Sequence, residues 1–363
     1  GVDIVRLDAV PYIWKQLGTS CRNLPQVHTI VRIMRMICEI VCPGVLLLGE
    51  VVMAPEKVVP YFGTVEKPEC HLLYNVTTMA STWHTVATKD VSLLRRQLDI
   101  ISELPRDYVF QNYLRCHDDI GWGLDYEYLE NFGIQEVPHK KYLNDFLTGK
   151  YPDSFARGEL YNDDPRLGDA RLCGTTASLC GIERFGFEGN QEGVDRAVRY
   201  DITLHAFMLS QSGIPVIYSG DEIGQVNDYS YKDDPEKSDD SRYLHRGKFD
   251  WKLAENRHDP ATVQGKLFPV LNKLEHIRSS HGIFNSNVPI HTIDTWDNSI
   301  LAFVRENDEE KFIGIYNFSE NDKVAWINEE DGMYTDLISG REMEAKGVQI
   351  PAFGCYWLCR NKQ

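Results

Sequence analysis

The sequence predicts an α/β fold in which a partial barrel of parallel βα units is followed by an all-β domain. In the first part, apolar runs of strand length alternate with segments of helical period, which is typical of parallel βα units. Later the pattern changes to short alternating runs at residues 300–304, 312–316 and 355–358, which predict antiparallel strands. We therefore assign residues 1–288 to the barrel and residues 289–363 to a C-terminal β-sandwich.

Five segments of the barrel part have the length and composition of strands. The helix between the first two begins at Pro25 and ends before Pro43 and Gly44, since proline suits a first helical turn and stops a helix further on. Further helices fit residues 76–102, 191–212 and 262–280. The strands are predicted at residues 2–7, 45–49, 70–75, 108–115 and 214–219.

The spacing of three acidic residues agrees with this arrangement. An eight-unit barrel of about 250 residues allots about 31 residues to each unit. Asp8 and Glu50 are 42 residues apart, which fits one unit with a long loop, and Glu50 and Asp118 are 68 apart, which fits two. Strand 214–219 begins 96 residues after Asp118, so we predict an insertion at about residues 123–189, in the loop after the seventh strand of the full barrel.

Barrel closure requires eight strands, whereas five are predicted here. An open five-stranded parallel sheet is the alternative. We interpret residues 1–288 as the C-terminal part of a (β/α)8 TIM barrel, and we expect a preceding portion of the same polypeptide with about three βα units to complete it. The segment alone is then expected to be poorly stable or inactive, because its sheet edge is exposed.

The amino-acid composition narrows the classes of binding partner that the protein is expected to have. The chain has 38 Lys and Arg residues against 54 Asp and Glu residues, a net charge of −16, which disfavours nucleic acid and anionic membranes. The nine cysteines are odd in number and lack close CxxC pairs, so we expect reduced thiols in a cytoplasmic protein. No calcium-loop pattern or His-x-x-x-His pair is present, so neither a metal nor a cofactor is expected.

Acidic side chains follow three of the predicted strands, at Asp8, Glu50 and Asp118. Any one of them alone is more typical of a helix cap or a solvated loop. Together they suit a retaining glycosidase, which needs a nucleophilic carboxylate and an acid/base carboxyl group about 5 Å apart around one sugar carbon. Arg6 shares a strand face with Asp8 and favours an ionised carboxylate there, whereas the apolar strand before Glu50 favours a neutral acid.

These segments resemble three catalytic regions of the α-amylase superfamily, glycoside hydrolase family 13. Within it, the sequence resembles amylosucrases almost continuously over residues 1–280 and more weakly beyond. The matching motifs are YIWKQ at 12–16, GTSC at 18–21, NLPQ at 23–26, HDDIGW at 117–122, SFARG at 154–158 and KSDDSR at 237–242.

The resemblance implies that Asp8 is the nucleophile, Glu50 the general acid/base and Asp118 the transition-state stabiliser. Sucrose would donate glucose to Asp8, fructose would leave, and the 4-hydroxyl of an α-1,4-glucan would accept the glucosyl group. The same three acids would serve a sucrose hydrolase, an α-glucosidase, an α-amylase or a sucrose phosphorylase. In another class, some superfamily members are non-catalytic binding proteins that have lost the acids.

The resemblance also implies substrate contacts for Arg6, His117, Asp119, Arg171 and Arg242, each of which has an ordinary structural alternative. His117 alone is more often structural, and Asp119 could be an N-cap. Arg171 could be a surface ion-pair residue, and Arg242 follows a solvated acidic loop. For Arg242 the resemblance implies pairing with an acid from the preceding portion.

Two further groups are left open by the sequence. Trp14, Trp83 and Trp122 could stack on sugar rings or pack in the core. Asp221 and Glu222 are expected to shape the loop after the last barrel strand, without a basic partner nearby.

Overall fold

A computed structural model describes residues 1–164, 170–327 and 331–362. Its strands are β1 Ile4–Leu7, β2 Leu46–Gly49, β3 Leu72–Tyr74, β4 Val109–Asn112, β5 Glu159–Tyr161, β6 Arg171–Cys173, β7 Ile214–Pro215, β8 His291–Ile293, β9 Ile300–Glu306, β10 Glu310–Asn317, β11 Lys323–Ala325, β12 Met333–Asp336, β13 Glu342–Glu344, β14 Val348–Ile350 and β15 Cys355–Asn361. Its α-helices are α1 Pro25–Val41, α2 Pro55–Val58, α3 Val76–Thr88, α4 Ser92–Ser102, α5 Tyr126–Glu130, α6 Glu136–Leu147, α7 Thr176–Cys180, α8 Ile182–Phe187, α9 Gln191–Ser210, α10 Trp251–Glu255 and α11 Val263–Ser280.

The barrel part contains a parallel sheet with the strand order β1-β2-β3-β4-β7. All five predicted parallel strands are confirmed, although each is shorter than predicted. The last is the shortest, because Pro215 lacks the N–H group that a longer ladder needs. Sequential parallel neighbours place every strand's carboxyl end at the same edge of the sheet, where the candidate acids follow.

Helix α1 begins at Pro25 as predicted and buries Val27 and Val31 against the sheet. Its other face is apolar and exposed, with Ile40 79% accessible, and strand β1 also exposes Ile4 and Val5. In the described residues β1 pairs with β2 alone. This uncovered face and edge are consistent with a partial barrel.

The predicted single helix at residues 76–102 is wrong, because the chain turns between α3 and α4. Lys89 adopts a left-handed conformation with φ 60° and donates its N–H to Thr85 O at the end of α3. The ammonium group of Lys89 lies over the ring of Phe155 at 4.7 Å and over the ring of Phe353 at 5.3 Å. These cation–π contacts offset the backbone strain of a left-handed non-glycine residue and link α3 to the C-terminal domain.

Between β4 and β7, the predicted insertion region contains α5 to α8 and the antiparallel pair β5–β6, followed by the long helix α9. Its residues 165–169 lie outside the described part of the chain. A backbone bridge between Ile120 and Leu172 joins β6 to the loop after β4. This bridge therefore fixes the insertion beside the candidate acids.

The C-terminal part confirms the predicted antiparallel strands. Six strands form a sheet in the order β13-β12-β15-β10-β9-β8, and β11 and β14 form a second, two-stranded layer. Alternate residues of β10 serve different cores: Phe312 and Tyr316 pack with the barrel part, whereas Ile313 and Ile315 pack with Ile350 of β14 and its neighbours.

No helix in the described ranges combines the length and the apolar character needed to cross a bilayer.

The buried His84 of α3 makes the stability of the fold depend on pH. Burial and the neighbouring His139 lower the pKa of His84 to about 3, with Asp90 opposing them. Between pH 6.5 and 3 the unfolded chain binds a proton at this histidine that the folded chain does not bind. Its contribution to the free energy of unfolding should therefore fall by about 1.4 kcal/mol for each pH unit of acidification inside this window.

Chemical unfolding of wild type and His84→Gln from pH 7 to 4.5 tests this expectation. The variant should show a shallower loss of stability on acidification, whereas His291→Gln, at an exposed histidine, should retain the wild-type slope. Parallel curves for wild type and His84→Gln would contradict it.

Candidate active site

Asp8 and Glu50 lie side by side at the carboxyl edge of the parallel sheet. The ladder between β1 and β2 continues one step further, since Glu50 N donates to Leu7 O at 3.0 Å and Val10 N donates to Glu50 O at 3.2 Å. The side chain of Asp8 is 75% exposed and that of Glu50 is 12% exposed. Asp8, the predicted nucleophile, is therefore more exposed to solvent than Glu50, the predicted acid/base.

Arg6 joins the two carboxylates. Its Nη1 contacts Asp8 Oδ1 at 2.6 Å, and its Nη2 contacts Glu50 Oε1 at 2.8 Å. The third donor, Nε, donates to the hydroxyl of Tyr74 on β3 at 3.2 Å. The guanidinium thus compensates two negative charges at once, and β3 holds it in place.

The surroundings of Glu50 differ from those predicted. An apolar environment was expected, but Oε2 accepts from Ala9 N at 2.9 Å while Oε1 pairs with Arg6. Ala9 has φ 43°, a left-handed conformation, at the turn where the chain leaves β1. The apolar side chains of β2, including Leu47 and Leu48, are instead buried on the two faces of the sheet. Two hydrogen-bond donors therefore surround the Glu50 carboxyl group where apolar neighbours were expected.

Asp118 is held by arginines from the loop after β7. Arg242 Nη1 donates to Asp118 Oδ1 at 3.0 Å, and Arg246 Nη2 lies 3.9 Å from the same oxygen. Burial alone would raise the pKa of Asp118, but the hydrogen bonds from Arg242 and from the N–H of Asp119 hold it below its usual value. An ionised Asp118 follows from these contacts.

Arg242 is oriented by Asp240, which sequence reasoning missed as a site residue. Its Nε donates to Asp240 Oδ1 at 2.9 Å and its Nη2 to Oδ2 at 2.8 Å, so only Nη1 is directed to Asp118. The acidic loop is therefore not merely solvated charge. Pairing of Arg242 with an acid from a preceding portion stays a prediction.

Asp119 contacts Arg171 of β6, whose Nη1 lies 3.3 Å from Asp119 Oδ2. The bridge between Ile120 and Leu172 places the two side chains next to each other. Burial, and then the charge of Asp118, raise the pKa of Asp119 to about 6, against the lowering effect of Arg171. Asp119 is 4% exposed and Arg171 46% exposed, so the pair faces the sheet edge at one end and solvent at the other.

The buried Tyr113 and the half-buried Cys116 connect the Arg6 group to the Asp118 group. The Tyr74 ring packs edge-to-face against Tyr113 at 5.3 Å. The charges of Glu50 and Asp118 both raise the pKa of Tyr113 and that of Cys116. Burial is the main reason that the pKa of the Cys116 thiol is raised to about 11. Glu50 and Asp118 therefore both lie near these two residues, and Asp8 is connected to Glu50 through Arg6. Their mutual separation, including the expected 5 Å, stays a prediction.

Asp221 has a basic partner, contrary to the prediction. Arg115 Nε lies 2.8 Å from Asp221 Oδ1, and Nη2 contacts the same oxygen at 2.8 Å, with both side chains almost fully buried. The partners are 106 residues apart in sequence, so no local pattern could have revealed the pair. Glu222 caps its own loop by accepting from Gly220 N at 2.7 Å.

A cavity of about 620 Å³ opens beside Arg171 and is also lined by Tyr12, Met53 and Trp122. Trp122 is fixed by a bond from Nε1 to Asn144 Oδ1 at 2.8 Å, so it is a rigid wall of this cavity. Trp83 is fully buried and donates to Leu114 O, which settles its role as core packing. Trp14 is 39% exposed.

Among the described residues, one set of three potential metal ligands comes together, formed by His281, Glu310 and Cys359. It belongs to the contact between the end of α11 and the C-terminal sheet and includes none of the predicted site residues. The Glu310 carboxylate there accepts from His281 and from Ile283 N. The set is accounted for as a hydrogen-bonded contact between α11 and β10.

The contact between Arg171 and Asp119 predicts a measurable change in the pKa of Asp119 when Arg171 is replaced. Because the Arg171 charge lowers the pKa of Asp119, Arg171→Gln should raise that pKa above its value of about 6. Carbon-13 NMR titration of the aspartate carboxyl signals measures it. Arg106→Gln, at an exposed arginine beyond the opposite end of β4, is the matched control and should cause no change. An unchanged Asp119 titration in Arg171→Gln would show that the contact is not populated.

No protein-family model matches the chain. Glucosylglycerate phosphorylase of Escherichia coli K12 is 27% identical over 360 residues, which cover 99% of this chain and 60% of that protein. Trehalose synthase of Thermus thermophilus is 30% identical over 226 residues, 62% of this chain and 19% of that protein. The chain spans 42% to 60% of the length of the three glucosylglycerate phosphorylases that it matches.

Among solved structures, sucrose 6F-phosphate phosphorylase from Thermoanaerobacter thermosaccharolyticum superimposes with a TM-score of 0.65 at 20% identity, covering 95% of this chain and 60% of that one. This likeness shows a shared fold. The comparisons do not single out amylosucrases. The curated relatives that the chain matches are named as glucosylglycerate phosphorylases and trehalose synthases.

Proposed function

We propose that the protein transfers glucosyl groups from sucrose to an α-1,4-glucan with retention of configuration. The observation that carries the proposal is the shared contact of Asp8 and Glu50 with Arg6, since it gathers two carboxylates at one sheet edge. The choice of sucrose and glucan rests on the amylosucrase-like motifs. A cytoplasmic location and completion of the barrel by a preceding portion belong to the same proposal.

In the first step, a carboxylate oxygen of Asp8 attacks the anomeric carbon of the glucosyl unit. The bond from this carbon to the fructosyl oxygen breaks, and Glu50 gives its proton to the departing oxygen. Both oxygens of Glu50 accept hydrogen bonds, so Glu50 takes up this proton from solvent on the oxygen that gives up Arg6 or Ala9 N as sucrose binds.

In the second step, Glu50 removes the proton of the acceptor 4-hydroxyl, whose oxygen attacks the anomeric carbon. The ester bond to Asp8 breaks, and the carboxylate is restored. Asp118, kept ionised by Arg242, stabilises the positive charge that develops on the sugar in both transition states. The Arg171–Asp119 pair and the adjoining cavity are suited to the leaving and accepting sugars.

A second candidate is phosphorolysis, in which inorganic phosphate replaces the glucan in the second step and gives α-glucose 1-phosphate. The match along 99% of the chain to an enzyme named glucosylglycerate phosphorylase favours it. A non-catalytic binding protein is disfavoured, because Asp8, Glu50 and Asp118 are all present.

Loss of the acid/base group should separate the two chemical steps. Glu50→Gln should lower turnover of sucrose by about 10²- to 10⁴-fold. With α-glucosyl fluoride, whose leaving group needs no proton, the variant should still form the ester and release it slowly. Peptide mass spectrometry should then find one added glucosyl group on the peptide that contains Asp8. The control Glu342→Gln, at an exposed glutamate of β13 in the C-terminal sheet, should turn over sucrose like wild type. An adduct at another residue, or full sucrose turnover in Glu50→Gln, would refute the assigned roles.

The reaction products show whether glucan, phosphate or water accepts the glucosyl group. Incubated with sucrose and a short glucan primer, the protein should release fructose and lengthen the primer, and added phosphate should leave the product ratio unchanged. Formation of glucose 1-phosphate only when phosphate is present would establish phosphorolysis instead. Equal amounts of glucose and fructose without polymer at any sucrose concentration would indicate a sucrose hydrolase, and activity on starch alone an amylase.

A further inference from the structure

The peptide group between His117 and Asp118 is held on both sides. Its carbonyl oxygen, His117 O, accepts from Arg246 Nε and from His245 Nε2, the latter at 3.4 Å. Its N–H group, Asp118 N, donates to Cys116 Sγ at 3.4 Å. Because this peptide carries the Asp118 side chain, its orientation decides where that carboxylate points.

The hydrogen-bond partners of His245 define its tautomer. Gly174 N lies 3.0 Å from Nδ1, and a backbone N–H can only donate, so Nδ1 must be an unprotonated acceptor. In the neutral ring the proton is then on Nε2 and is donated to His117 O. Burial, followed by the charge of Arg115, lowers the pKa of His245 to about 3; Arg246 acts in the same direction, while the His117 carbonyl and Asp118 oppose it. The ring is therefore neutral at neutral pH.

The backbone of His245 is fixed by the buried ion pair already described. Arg115 Nη1 donates to His245 O at 3.1 Å, while the same guanidinium contacts Asp221 through Nε and Nη2. The hydroxyl of Thr176 donates to Asp221 Oδ2 at 3.0 Å. The ion pair therefore ties the loop carrying His245 to β4 and to the insertion.

We propose that His245 is a positioning residue for Asp118: its neutral ring relays a hydrogen bond from Gly174 of the insertion to the His117–Asp118 peptide. It sits at the end of the short 3-10 helix Ser241–His245, whose Arg242 contacts the Asp118 carboxylate directly. One element thus fixes both the backbone and the side chain of the proposed transition-state stabiliser. The inference rests on the proposed function only for the role of Asp118.

Two substitutions of His245 separate the two ring nitrogens. The amide of Asn lies at the same bond distance from the backbone as Nδ1, so His245→Asn keeps an acceptor for Gly174 and loses the donor to His117 O. The amide of Gln reaches as far as Nε2, so His245→Gln keeps the donor. We expect His245→Asn to lower kcat about 10- to 100-fold with little change in KM, and His245→Gln to stay within about threefold of wild type.

Hydrogen–deuterium exchange provides a readout that does not depend on activity. The amide of Asp118 should exchange faster in His245→Asn than in wild type, and at the wild-type rate in His245→Gln. If wild type transfers no glucosyl group, the proposed function fails, and exchange still decides whether His245 holds the peptide.

Asp336→Asn is the control for simple loss of stability. Asp336 is a buried aspartate of the C-terminal sheet that accepts from Trp357 N and Ser339 N, so its variant should lower Tm without changing kcat. Equal effects of His245→Asn and His245→Gln on kcat and on exchange would overturn the proposal. So would a wild-type exchange rate at Asp118 in His245→Asn.

Discussion

A single guanidinium makes the arrangement at the sheet edge feasible. Asp8 and Glu50 both contact one side chain, and two carboxylates held this near each other repel unless a cation lies between them. Arg6 meets this constraint with separate nitrogens for Asp8 and Glu50, and its third donor is anchored on Tyr74 of the next strand but one. A lysine has no such fork and could not hold both carboxylates and the phenol in fixed directions.

The same pairing of acid with arginine recurs across the site, but the arginines come from different parts of the chain. Arg6 belongs to β1, Arg171 to the β5–β6 pair of the insertion, and Arg242 to the loop after β7. In a chain with a net charge of −16, these cations are concentrated where the acids converge. The insertion and the late loop therefore do more than cover the sheet edge, because without them Asp118 and Asp119 would lose their partners.

The five parallel strands, helix α1 and the placement of the acids at strand ends could be predicted from the sequence, whereas the partners of the acids could not. Strand composition and the fixed direction of parallel strands place Asp8, Glu50 and Asp118 at one edge, and Pro25 marks the start of α1. The break at Lys89 escaped prediction because aromatic rings from distant segments stabilise it. Asp240 and His245 escaped because their roles depend on contacts more than 120 residues away, with Asp118 through Arg242 and with His117. The assumption of apolar surroundings for Glu50 failed because strand composition describes the core side of β2 and not its end.

Asp118 and Asp119 are adjacent in sequence, yet their environments shift their pKa values in opposite directions. Arg242 and a backbone N–H hold the pKa of Asp118 down, whereas burial and the charge of Asp118 raise the pKa of Asp119 to about 6. Near neutral pH Asp118 therefore stays an anion, whereas Asp119 takes up a proton on mild acidification. Because the charge on one raises the pKa of the other, the difference depends on Asp118 keeping its orientation toward Arg242. Rigid support of the peptide between His117 and Asp118 thus bears on both acids.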